Sequence, residues 1–107
     1  MGLGELKVGQ LVYSKMGRDR NRLFLIWKIE QNSSFVYLVD GDLRKIERPK
    51  KKNIKHIQPT NKIASDIVDK LNQNQTVNNA EIRQAIKRLI QTDQEDSVSD
   101  RQGGKDS

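Results

Sequence analysis

The sequence predicts a mainly β domain with C-terminal α: a small five-stranded β-barrel, then two short helices, then a disordered acidic tail. Three observations carry this. Between Gly9 and Gln58 apolar residues come in short period-two runs divided by turn residues. After Pro59 the apolar period becomes helical, and after Thr92 no apolar period survives. A chain of 107 residues, 34% hydrophobic and 32% charged, supports one modest core and leaves little room for a deep substrate cleft. The expected organisation is a basic barrel over 1–60, a helical extension packed on it over 61–92, and the tail over 93–107.

The expected strands are Gln10 to Ser14, Arg22 to Gln31, Phe35 to Val39, Leu43 to Glu47 and Asn53 to Gln58. Asn32-Ser33-Ser34 suits a tight hairpin, and Asp40-Gly41 supplies the positive φ of a primed turn. The second strand is apolar on both faces: Leu23, Leu25, Trp27 and Ile29 on one, Phe24 and Ile26 on the other. Something must therefore cover its outer side, and the helical pattern Ile63, Ile67, Leu71, then Ile82, Ile86, Leu89, Ile90 is the candidate. The second helix has a clear start, with Asn78 as cap, Glu81 closing a capping box and Val77 able to staple onto Ile82. The link from about Asn72 to Val77 is too long for a helix-turn-helix, which leaves a lid on the barrel. The tail is dominated by Asp, Ser, Gln and Gly.

Charge is unevenly spread. Residues 1–60 hold 13 basic and 6 acidic side chains, net +7, whereas 93–107 hold 2 and 5, net −3. A basic surface attracts polyanions because each neutralised phosphate releases condensed counterions. Two clusters stand out. Lys15, Arg18, Arg20 and Arg22 surround Gly17, where backbone amides can approach a phosphate while guanidinium forks bind its oxygens. Arg44, Lys45, Arg48, Lys50, Lys51, Lys52 and Lys55 form the second, with the Lys50 to Lys52 run read as an exposed loop after Pro49. Either alone suits a solvated or edge-protecting surface; together they favour a polyanion site. Among the strand aromatics, Tyr13 and Tyr37 are the candidates for stacking on unpaired bases.

No catalytic constellation, phosphate loop or dinucleotide fingerprint can be assembled. With no cysteine, a thiolate zinc site or a disulfide framework is excluded. The lone His56 is read as a surface or phosphate-contacting residue, and Asp40-Gly41-Asp42 as turn chemistry rather than a calcium loop. The expectation is a non-catalytic protein with no cofactor, no metal and no small-molecule substrate. No apolar run has the length of a membrane span or signal-peptide core, so a cytoplasmic location without membrane partners is expected.

The stretch Val8-Gly9-Gln10-Leu11-Val12-Tyr13-Ser14-Lys15-Met16-Gly17-Arg18-Asp19, followed by Arg22-Leu23-Phe24-Leu25-Ile26, resembles a KOW motif: hydrophobic strand, glycine-containing basic loop, hydrophobic strand. The continuation through Val39-Asp40-Gly41 and Leu43-Arg44-Lys45 is similar to short bacterial KOW proteins related to large-subunit ribosomal proteins of archaea and eukaryotes. Asn79-Ala80-Glu81-Ile82-Arg83 stands where that family has a C-terminal helix. The resemblance implies a Src-homology-3-like barrel that contacts ribosomal or other structured RNA through Lys15, Gly17, Arg18 and Arg20, with Arg22 beside them; the protein is expected to act as a monomer. A protein-interaction module and a transcription-associated KOW module are the alternatives.

Overall fold

The computed structural model describes residues 6–98, with side chains over 6–91. Five strands, β1 (Gln10–Ser14), β2 (Leu23–Ile29), β3 (Phe35–Val39), β4 (Lys50–Asn53) and β5 (Ile57–Ile63), precede α1 (Ser65–Asn72) and α2 (Asn79–Val98). They form one antiparallel sheet in the order β4-β3-β2-β1-β5, so the last strand returns beside the first. A single 3-10 turn, Ile54–His56, joins the two edge strands. Laid flat, five strands about 4.8 Å apart would separate those edges by roughly 19 Å. The link from Asn53 to Ile57 spans at most about 14 Å even when extended. The sheet therefore curls, and Lys52 Nζ of the β4 edge donates to Met16 O just beyond β1 (3.2 Å), while Lys15 N to His56 O (2.8 Å) continues the β1–β5 ladder.

The curled sheet has an apolar cluster on each side. Val12, Phe24, Ile26, Val36, Leu38 and Ile57 fill the concave side. Leu11, Leu25 and Val39 on the convex side pack under Ile67, Val77, Ile82, Ala85 and Ile86 from the helical segment, with Leu23 and Trp27 at the margin. This is the division that the two apolar faces of β2 require. One residue departs from it. The β2–β3 register slips between Ile26 and Lys28, a bulge that inserts Trp27 as an extra residue. Ile29 consequently turns to the concave cluster instead of joining Leu23, Leu25 and Trp27.

Three sequence expectations need correction. Leu43–Glu47 is not a strand. Asp40 Oδ1 accepts from Asp42 N (2.9 Å) and Arg44 N (2.8 Å), and Asn79 Oδ1 accepts from Ile46 N (2.8 Å), so the amides that a ladder would need are held elsewhere. Gly41 has its positive φ, +78°, but within a ten-residue loop rather than a two-residue hairpin. The fourth strand is instead the lysine run. It begins just after Pro49 and lies at the sheet edge, where low strand propensity is tolerated and charge deters further pairing. Finally, β5 runs through Pro59 to Ile63, so Ile63 belongs to the sheet and not to the first helix. Edge position permits the proline, and a register shift opposite Gln10 to Val12 absorbs the extra residues.

The helices pack antiparallel, tied by Lys70–Glu81 and Arg88–Asp66 ion pairs. α1 closes in a Schellman motif: Asn74 takes φ +58°, Gln75 N donates to Lys70 O (2.8 Å) and Asn74 N to Leu71 O (3.2 Å). α2 opens in the expected capping box, with Glu81 N donating to Asn78 Oδ1 (2.9 Å) and Asn78 N to Glu81 Oε1 (2.8 Å). It is longer than the short helix expected, because nothing between Thr92 and Val98 breaks a helix once propagation is under way. The tail predicted from Asp93 thus begins as helix; its remainder, 99–107, lies outside the described residues. Among the described residues no helix is long and apolar enough to cross a membrane.

Candidate nucleic-acid interface

The antiparallel meander brings the β1–β2 loop (15–22) and the β3–β4 loop (40–49) to the same end of the sheet. Three ion pairs lace them together. Arg22 Nε meets Asp40 Oδ2 at 3.0 Å, with Asp42 Oδ2 3.7 Å from its NH2, and Arg44 NH2 meets Asp19 Oδ2 at 3.2 Å. Each loop gives one arginine to a buried aspartate of the other; Asp19 and Asp40 are 6% and 7% exposed. Arg22 and Arg44 thus serve as internal counter-ions. Arg44 is half-buried, and its Nε is buried without a hydrogen-bond partner among the described residues. A buried carboxylate left unmatched would cost far more than a surface charge, which explains why these two half-exposed arginines lean onto the aspartates.

The rest of the first loop faces solvent. Lys15, Arg18 and Arg20 are exposed and have no ion pair with another described residue. Gly17 adopts φ +80°, and an added Cβ would have only Lys52 Nζ nearby, at 3.9 Å. The loop is nevertheless shaped: Ser14 N donates to Arg22 O, Asn21 N to Ser14 O and Arg20 N to Gly17 O, at 2.7–3.2 Å. Its cations thus project from a fixed frame, which lowers the ordering cost of binding.

The second cluster is dispersed. Lys45 and Arg48 are exposed on the β3–β4 loop, which is pinned to α2 by Ile46 N to Asn79 Oδ1, Asn79 Nδ2 to Glu47 Oε1 (2.9 Å) and Arg83 NH1 to Gly41 O (2.6 Å). The Asn79 amide holds the Glu47 carboxyl below its ordinary range. In β4, Lys50 and Lys52 pair with Leu38 and Val36 and so share the concave side, whereas Lys51 pairs with Tyr37 on the convex side. Lys52 reaches the Met16 carbonyl and so joins the first loop. Lys55 is exposed on the 3-10 turn, whose His56 carbonyl receives the Lys15 amide. The fold therefore assembles Lys15, Arg18, Arg20, Lys52 and Lys55 around one corner.

The two stacking candidates part company. Tyr13 is 42% exposed on β1, between Leu23 and Gln58 of its neighbours. Tyr37 is half-buried, with Lys28 Nζ 5.8 Å from its ring centroid. Sequence reasoning assigned no role to Lys28, because only the bulge at Trp27 turns it to the convex face. It also missed Asp19, whose place between two arginines looked like part of a solvated loop. Among the described residues no three histidine or acidic side chains converge as metal ligands would. No protein-family model matches the chain, and no curated protein matches its sequence.

Proposed function

We propose that this protein is a non-catalytic RNA-binding protein of the cytoplasm, acting as a monomer on ribosomal or other structured RNA. The single observation that supports this best is the corner where a shaped glycine loop presents Lys15, Arg18 and Arg20 beside Lys52 and Lys55, without an ion pair to any described carboxylate, unlike Arg22 and Arg44. Cations so placed can neutralise neighbouring phosphates without first breaking internal ion pairs. In this reading the curled sheet is a Src-homology-3-like barrel of KOW type, closed near the 3-10 turn, and its first loop is the RNA-contacting one. The helices bury their apolar faces against the sheet, which favours a scaffold role for them over a protein-docking groove.

The test is a salt titration of affinity for a blunt RNA hairpin. Log Kd should change linearly with log salt, with a slope of about 0.9 per phosphate neutralised. A triple Lys15→Ala, Arg18→Ala, Arg20→Ala variant should lose most of that slope while melting like the parent. A flat response in the parent protein would refute RNA binding.

A further inference from the structure

The convex face of the sheet is covered only in part. Along β3, outward residues are Phe35, Tyr37 and Val39, and only Val39 lies in the cluster beneath the helices. Across the uncovered portion runs a three-strand ladder: Lys28 of β2 pairs with Tyr37 of β3, which pairs with Lys51 of β4. Lys51 Nζ sits 4.7 Å from the Phe35 ring centroid, and Lys28 Nζ 5.8 Å from that of Tyr37. Two half-buried aromatic rings are thus flanked by two exposed ammonium groups. The bulge at Trp27 creates this arrangement, since unbroken alternation would turn Lys28 to the concave side. A bulge costs ladder regularity, and re-aiming a side chain is what such features do near binding sites.

Resting on the RNA-binding reading, we propose that this face is a second contact, which takes an unpaired stretch of the same RNA by stacking its bases on Tyr37 and Phe35. Sheet aromatics interleaved with cations suit single strands because every base offers a π-face while its phosphate needs a nearby charge. Lys28 and Lys51 now rest over the rings; on binding, bases take the ring faces and the ammonium groups move to the phosphates. Glu30 is the acid of this face, 3.7 Å from Lys51 Nζ, and it opposes the polyanion. The natural target is therefore a duplex with an adjoining single-stranded segment. Tyr13, which has no cation over its ring among the described residues, stands outside the platform.

The experiment compares the full chain binding a blunt RNA hairpin and the same hairpin carrying a short uridine extension. The extension should tighten binding about five- to 150-fold for each base stacked. A Phe35→Leu, Tyr37→Leu double variant should erase that gain and leave blunt-hairpin affinity unchanged, and Glu30→Gln should enlarge it. If the double variant no longer melts cooperatively, photocrosslinking of the parent protein to iodouridine in the extension decides: adducts on Phe35 or Tyr37 support the platform, and adducts only elsewhere overturn it. Blunt-hairpin binding with no gain from the extension, or a gain that survives the double variant, overturns this inference alone. If neither RNA binds, the RNA reading itself falls and this one with it. An acidic peptide that binds this face while the extension adds nothing would overturn it as well.

Discussion

The first basic loop and the second basic cluster have similar composition and opposite fates. In the first, Asp19 turns inward and Arg22 turns aside, and Arg18 and Arg20 on either side of Asp19 are left exposed on a hydrogen-bonded frame. In the second, Arg44 is drawn inward, Lys45 and Arg48 ride on a loop tied to α2, and the lysine run becomes an edge strand whose residues alternate between faces. Counting cations ranks the second cluster higher. Counting cations that have no ion pair with a described residue and share a surface ranks the first higher, because pairing with a buried aspartate consumes the charge that a phosphate would need.

The contrast can be tested where the second region is anchored. The largest effect is expected from Gly41→Ala. At φ +78° a Cβ is strained, and it would run into the Asn79 carbonyl oxygen and stand 2.9 Å from Arg83 Cγ. Urea denaturation should record a loss of about 3 kcal/mol, with the β3–β4 loop and the first turn of α2 losing amide protection before the first loop does. Next comes Asp19→Ala, which strands Arg44 with no counter-ion; a loss of about 2 kcal/mol is expected. Both loops should lose amide protection together, and protection left unchanged in either loop after Asp19→Ala would argue against the mutual lacing.

Smaller changes sharpen the comparison. Asn78→Ala removes one side of the capping box and should cost about 1 kcal/mol by the same denaturation measurement. The effect should reach the second loop through Asn79, but not Lys15 to Arg20. Arg18→Ala and Arg20→Ala should each change stability by less than about 0.5 kcal/mol and lower the salt slope for RNA by roughly 1. The converse, a large stability loss with an unchanged slope, would assign them a structural role like that of Arg22.

The smallest expected effect is acid sensitivity at Glu81. The Lys70 ammonium and the Asn78 amide hold its carboxyl below the ordinary value of 4.5. A carboxylate with a depressed folded value stabilises fully above its unfolded value and loses that contribution as pH falls through the folded one. α2 should therefore start to fray only below about pH 4.5. Glu81→Gln should flatten that part of the pH–stability curve.

Local signals were legible where one residue and its near neighbours decide the outcome. The first and third strands, the body of the second, the positive φ at Gly41, and the capping box at Asn78 are such cases, because φ preference and short-range hydrogen bonds set them. The two apolar faces of β2 likewise implied that helices would cover the sheet. The fourth strand was not legible: Leu43–Glu47 has strand-like composition but its amides are captured by Asp40 and Asn79, the latter 33 residues away from Ile46.

The sequence alone therefore determined how much positive charge this protein carries, and that its β-rich part must be roofed by amphipathic helices. Tertiary structure decided which of those charges remain available. Whether an arginine faces a phosphate or an aspartate depends on residues distant in the chain being brought within a few ångströms, and ion pairing falls away too steeply with distance and solvent screening for composition to reveal it. The same holds for Lys28, which faces outward because one extra residue in β2 reverses the alternation after Trp27.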